Sequence, residues 1–262
     1  MKKILTAATS ALVFLFIGSG AALSQEEAEE QEMSAVPVET WACSYNDGKG
    51  PEDLDAVIGE WNEWMDGEGQ DDYFAAIITP TFYGERSFDL GWLGAWSDAN
   101  SMGAGTELWM TEGDEMGAKF FDVITCASHT MFATLQVREP PQNDDDDDNS
   151  FVLAFSNCSI KEGRTFEEYM SAQTEWNAYA DEIGMVSGAW VMFPIWGENV
   201  EADYDFKFLG SAADFTTLGA NTQIMFDGHW RKSNELFDDL LDCDSTRIYS
   251  TTVVRRMAED DE

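Results

Sequence analysis

The chain is written twice, and that repetition limits its fold more than any other feature. Cys-Ser-x-x-x-Gly at Cys43 to Gly48 returns at Cys158 to Gly163. Glu60-Trp61-Asn62 returns as Glu175-Trp176-Asn177, Leu93-Gly94 as Leu209-Gly210, and Phe121-Asp122 as Phe237-Asp238. The offset grows only from 115 (Cys43 to Cys158) to 117 (Cys126 to Cys243). So small a drift over a whole module means two copies of one fold, each of a common domain size. Module one is expected over 39–139 and module two over 151–257, with an Asp-rich linker over 140–150.

The ends read differently. Lys2 and Lys3, the apolar run Ile4 to Gly18 and the small residues before Ser24 form an export signal, cleaved near Ser24/Gln25 and leaving no membrane anchor. An acidic disordered segment (25–38) follows, and an acidic tail (258–262) closes the chain. A periplasmic or secreted location is expected. Exported cysteines tend to pair. Four allow three connectivities. Equivalent placement in the two copies selects one bridge per module, Cys43–Cys126 and Cys158–Cys243. Zinc is disfavoured, because the cysteines lack the close spacing of a zinc knuckle.

A net charge of −37 makes nucleic acid, anionic membrane and acidic substrates poor partners. The Asp144 to Asp148 run lacks the spaced ligands and turn glycine of a calcium loop and reads as a flexible spacer.

Within each module the periodicities alternate. The strands are expected over 40–45, 73–79, 90–96 and 130–138 in copy one. In copy two they fall over 152–160, 189–193, 206–212 and 247–255. Pro80 and Pro194 end the second strand of each copy. Pro51 opens the first helix of copy one, and Thr165 with Glu168 forms a capping box in copy two. Two short helices precede each last strand. Gly103 and Gly219 interrupt helical patterns at matched places, which implies close helix packing because Gly weakens a helix. In the Glu-Trp-Asn motif the Trp belongs to the apolar stripe, while Glu60 and Asn62 flank it toward solvent.

The order βαββαβ is the ferredoxin-like plan. Two helices cover one sheet face. The other face, with Trp92, Trp96, Phe132, Phe206, Phe208 and Tyr249 in or beside its strands, must be buried elsewhere. The expected fold is α+β: two tandem ferredoxin-like modules packed sheet to sheet as an intrachain α+β barrel, monomeric because one chain supplies both halves. In module length, strand order, the helix after Gly163 to Glu168 and the stretch Trp92 to Asp98 opening a helix, the chain resembles the dimeric α+β barrel superfamily, which includes antibiotic-biosynthesis-monooxygenase-like proteins. The resemblance implies a pocket between each sheet and its helices. It also implies a spread of roles: cofactor-independent monooxygenases, haem-degrading or haem-dependent enzymes, and small-molecule-binding or regulatory domains.

The residues must choose among these. The candidate catalytic residues are His129, His229 and Asn157. Haem-degrading relatives use an Asn on the first strand, a Trp and a His, and the resemblance would assign these to Asn157, Trp230 and His229. The repeat departs from it, since Ala42 stands where Asn157 does. Trp64, Trp190 and Trp196 are the candidates for an apolar pocket. No nucleophile set, phosphate loop, metal cluster or cofactor motif can be assembled. The chain is therefore expected to bind a small apolar molecule or a protein partner without catalysis. The alternative is a cofactor-independent monooxygenase-like enzyme.

Overall fold

The computed structural model describes residues 34–140 and 149–258. The expected export signal, residues 25–33 of the expected acidic segment, linker residues 141–148 with the Asp144 to Asp148 run, and tail residues 259–262 lie outside the described residues.

The first half runs β1 (Val36–Tyr45), α1 (Pro51–Gly67), β2 (Phe74–Phe82), β3 (Leu90–Ala95), α2 (Ala99–Glu112), α3 (Asp114–Val123) and β4 (Ile124–Arg138). The second runs β5 (Ser150–Ile160), α4 (Phe166–Glu182), β6 (Gly188–Trp196), β7 (Phe206–Ala212), α5 (Phe215–Ile224), a π-helical turn (Met225–His229), α6 (Trp230–Phe237), β8 (Leu241–Cys243) and β9 (Arg247–Arg255). Pro51 is the first residue of α1, and the Thr165–Glu168 capping box opens α4. Asp98 and Asp214 cap α2 and α5 by accepting hydrogen bonds from backbone N–H groups of the first turn.

The sheet differs from the expectation. It is not two sheets stacked face to face. Eight antiparallel strands form one closed ring in the order β7-β6-β4-β1-β3-β2-β9-β5, and β5 returns to β7; β8 adds beside β5. The halves join at two seams, β2 with β9 (Ile77 opposite Thr252) and β4 with β6 (Ala133 opposite Phe193). Each half alone would leave two strand edges with unpaired backbone groups, and closure pairs them all.

Closure divides the apolar residues among three cores. The ring interior holds Val38, Ile78, Leu93, Phe132, Leu153, Phe155, Met192, Leu209 and Tyr249. Outside it, α1 to α3 cover Leu90, Trp92 and Trp96, and a second layer encloses Val191, Tyr169 and Phe206. Of the side chains assigned to the bare sheet face, Phe132 and Tyr249 do point inward. Trp92, Trp96, Phe206 and Phe208 point outward instead, because strand neighbours alternate faces and Leu93 takes the inner position beside Trp92.

Further corrections follow from the same geometry. Pro80 and Pro194 lie inside β2 and β6 rather than ending them. Each sits beside a register shift, where a missing N–H costs no ladder bond. A side-chain carbon added at Gly103 or Gly219 would meet open space, so close packing does not explain either glycine. Asn62 is not a solvent residue. Its amide donates to the Val254 carbonyl of β9 at 2.9 Å, and Asn177 makes the matching bond to Val137 of β4 at 2.6 Å. The repeated Asn thus ties each first helix to the last strand of the opposite half. Arg255 and Arg138 strengthen the same two joints, reaching Asp66 and Asp181.

Cys43 bonds Cys126, and Cys158 bonds Cys243. Two disulfides suit an oxidising compartment. Among the described residues no helix is long and apolar enough to cross a membrane.

Candidate functional site

The two halves share a backbone plan but carry different polar groups, and each has one polar cluster that its copy lacks.

In the first half the cluster lies between the sheet and its helices. Glu39 is buried on the outer face of β1. It accepts hydrogen bonds from the Tyr73 hydroxyl (2.5 Å) and the Trp41 ring N–H (3.1 Å), and His129 Nε2 lies 2.6 Å from it. Trp92 donates its ring N–H to the Tyr73 oxygen at 2.9 Å. His129 stacks on Trp41 with ring centroids 3.5 Å apart, and its side chain remains 43 % exposed. Burial, then the Glu39 charge, pushes the Tyr73 hydroxyl well above the ordinary phenol range. Gly94 leaves the space this cluster needs, since a side-chain carbon there would lie 2.0 Å from the Tyr73 oxygen. Strand pairing sets Ala154, Ser156 and Phe208 of the second half where the first has Glu39, Trp41 and Trp92.

In the second half the cluster sits at the mouth of the ring. Leu153 and Phe155 line the ring interior, so Asn157, two residues further along β5, faces the same way. Leu209 does the same on β7, and Lys207 stands two residues before it. The Lys207 ammonium donates to Asn157 Oδ1 at 2.9 Å, lies 4.2 Å from the Tyr204 ring centroid and 5.8 Å from that of Phe132. Phe132 is fully buried, so Lys207 roofs the apolar interior. The Tyr204 hydroxyl donates to Glu198. Around them opens a cavity of about 630 Å³, lined also by Glu201, Asp203, Asp242 and Asp244. Burial lowers the Lys207 pKa, partly offset by Glu198, while burial and the Glu198 bond raise that of Tyr204. The first half has Gly91 and Ala42 in place of Lys207 and Asn157.

The expected site residues fall in several places. Asn157 lines the ring mouth. His129 joins the Glu39 cluster. His229 ends the π-helical turn after Gly228, whose φ of 114° favours glycine, and its Nδ1 meets the Tyr179 hydroxyl at 2.6 Å. Asn157 and His229 therefore do not converge, and the residues that a haem would require do not fit one. The three tryptophans form no common pocket. Trp64 packs against Trp109 under the helices, Trp190 lies against the ring interior, and Trp196 is 61 % exposed at the end of β6. Among the described residues no group of three or more His, Cys, Asp and Glu side chains is placed to hold a metal ion. Lys207, Tyr204, Glu39 and Tyr73 escape a motif search. Position-by-position comparison of the copies would have singled out Lys207, the counterpart of Gly91.

No protein-family model matches the chain, and no curated protein does. Solved structures do. A candidate monooxygenase from Fusobacterium nucleatum aligns at a TM-score of 0.51 and 9% identity, over 85% of this chain and 94% of that one. An anthrone oxidase-like protein aligns at 0.49 and 10% identity, over 87% and 97%. A variant of chlorite dismutase from Candidatus Nitrospira defluvii aligns at 0.49 and 8% identity, over 84% and 92%. At 9% identity the likeness to the Fusobacterium structure is one of fold alone. With its closed antiparallel ring, outer helices and two repeated halves, the chain resembles the dimeric α+β barrel fold.

Proposed function

We propose that this is an exported binding protein that takes a small polyhydroxylated molecule at the ring mouth, without catalysis. The observation that carries the reading is the open cavity of about 630 Å³ lined by Lys207, Asn157 and five carboxylates. That volume lies in the range of small-molecule sites. Its walls are polar, so the ligand is polar, in place of the apolar one suggested by the tryptophan count. Hydroxyl groups suit the lining. They donate to Glu201, Asp203 and Asp242 and accept from Lys207, leaving no desolvated group unpaired. The layers between sheet and helices, where the superfamily resemblance puts a pocket, are filled by aromatic side chains such as Trp61, Trp92 and Phe120 in one half and Phe166, Tyr169 and Phe206 in the other.

Nuclear magnetic resonance titration with glucose and with sorbitol tests this reading. Saturable shifts centred on Asn157, Tyr204 and Lys207 are expected. Shifts confined to residues under the helices, or none for either probe, would overturn it.

One observation favours a second reading, a cofactor-independent monooxygenase-like enzyme. The Glu39 carboxylate, held by Tyr73 and reached by half-exposed His129, has the parts of a proton acceptor with a path to solvent. Oxygen-dependent turnover of a hydroquinone by the same preparation would favour it.

A further inference from the structure

We propose that Lys207 is a covalent capture site, whose side-chain amine holds a small aldehyde or open-chain aldose as an imine at the ring mouth. This rests on the mouth cavity being a binding site.

The chain has 51 acidic residues against 14 lysines and arginines. Among the described residues, Lys49 pairs with Asp122, Lys119 with Glu60, Lys161 with Asp242, and Lys232 with Glu175. Lys207 alone of the described lysines has no carboxylate within ion-pair distance, although five carboxylates line the cavity it faces. Its partners are a neutral amide and two aromatic rings. Lys207 is thus the one described lysine whose proton no direct carboxylate contact holds.

Lys207 is fixed on β7, its amine is half-buried over Phe132, and the cavity beside it has room for a molecule of sugar size. Burial pushes its pKa down and raises the share of free amine, whereas the Asp122 and Glu175 bonds push Lys49 and Lys232 up. A desolvated lysine is a known form of activated nucleophile.

The Tyr204 hydroxyl is bonded to Glu198, and burial and that bond together keep its proton on, so solvent carries the protons of the reaction. The step balances without any oxidant or reductant. The nitrogen lone pair attacks the carbonyl carbon and breaks the C=O π bond. The oxygen takes up two protons from solvent, the nitrogen gives its two hydrogens up to solvent, and the C–O bond breaks to release water. One amine and one aldehyde give one imine and one water. The copy supports the assignment. Gly91 stands in place of Lys207 and Ala42 in place of Asn157, so nothing in the fold itself demands an amine there.

The test is reductive trapping. The mature chain is incubated with glycolaldehyde and cyanoborohydride, which fixes an imine as a secondary amine, and lysine peptides are quantified by mass spectrometry. Lys207 is expected to be labelled several-fold ahead of Lys49, Lys119, Lys161 and Lys232. Lys207→Arg, which keeps the charge, leaves the other lysines labelled as before. Equal labelling of all lysines overturns the proposal. Sorbitol binding is read in parallel by calorimetry. If sorbitol binds and Lys207 is not preferred, capture fails and the binding site stands. If sorbitol does not bind and Lys207 is not preferred, both fail.

Discussion

Gly94 and Gly210 occupy equivalent places in the two copies, yet only one is confined. A side-chain carbon at Gly94 would fall 2.0 Å from the Tyr73 oxygen and 2.8 Å from Glu39 Oε1. At Gly210 the nearest atom is the Ala154 side chain, at 3.8 Å. Gly94→Ala is therefore expected to cost about 1–3 kcal/mol, through overpacking and loss of the Tyr73–Glu39 bond. Gly210→Ala is expected to change stability by less than about 0.5 kcal/mol. Urea denaturation of both variants checks the contrast, and equal losses would deny the cluster its role. At this scale the sequence was legible where the copies agree and opaque where they differ. The cysteine pairing followed from equivalent positions. Lys207 and Glu39 did not, because one charged residue on a strand reads as an outward-facing solvent group. Their burial depends on where the ring closes and where the helices lie, which no local pattern records.

At the scale of elements, α2 and α5 carry Gly103 and Gly219 on exposed turns, with nothing near the missing side chain. Ala at either position adds helix propensity without a clash. Each substitution should stabilise the protein by up to about 1 kcal/mol, read as a higher unfolding midpoint. A loss would reveal a contact at those glycines. Helix starts were readable from Pro51 and from the Thr165–Glu168 pair, because caps are local chemistry. Strand ends were not. β1 begins at Val36 and β2 runs through Pro80 to Phe82, since pairing with a neighbour, not composition, sets where a strand stops. β4 is continuous from Ile124 to Arg138, whereas its counterpart breaks into β8 and β9. That break contains Asp244, whose carboxylate accepts from the Asn157 backbone N–H and reaches Arg247, so it helps to shape the ring mouth.

For the whole molecule, the eight ring strands and their order were legible, β8 was not, and the closure was misjudged. Apolar burial argues only that the inner faces must meet. Edge pairing decides that they meet as one ring, and edges leave no hydropathy signal. The net charge of −37 acts on this ring as self-repulsion. Added sodium chloride screens it, so the melting temperature is expected to rise between low and physiological salt by roughly 2–4 °C per kcal/mol recovered. A fall would show that the ion pairs outweigh the repulsion. The seams carry one more consequence. In a barrel assembled from two identical chains, any substitution appears twice, on both sides of the symmetry axis. A tethered pair escapes that constraint. Lys207 can face the opening once, opposite a half that carries glycine at the matching place, and Glu39 can be buried on the other side without a twin. Fusion lets one barrel hold two unlike chemistries, each free to drift without disturbing the other.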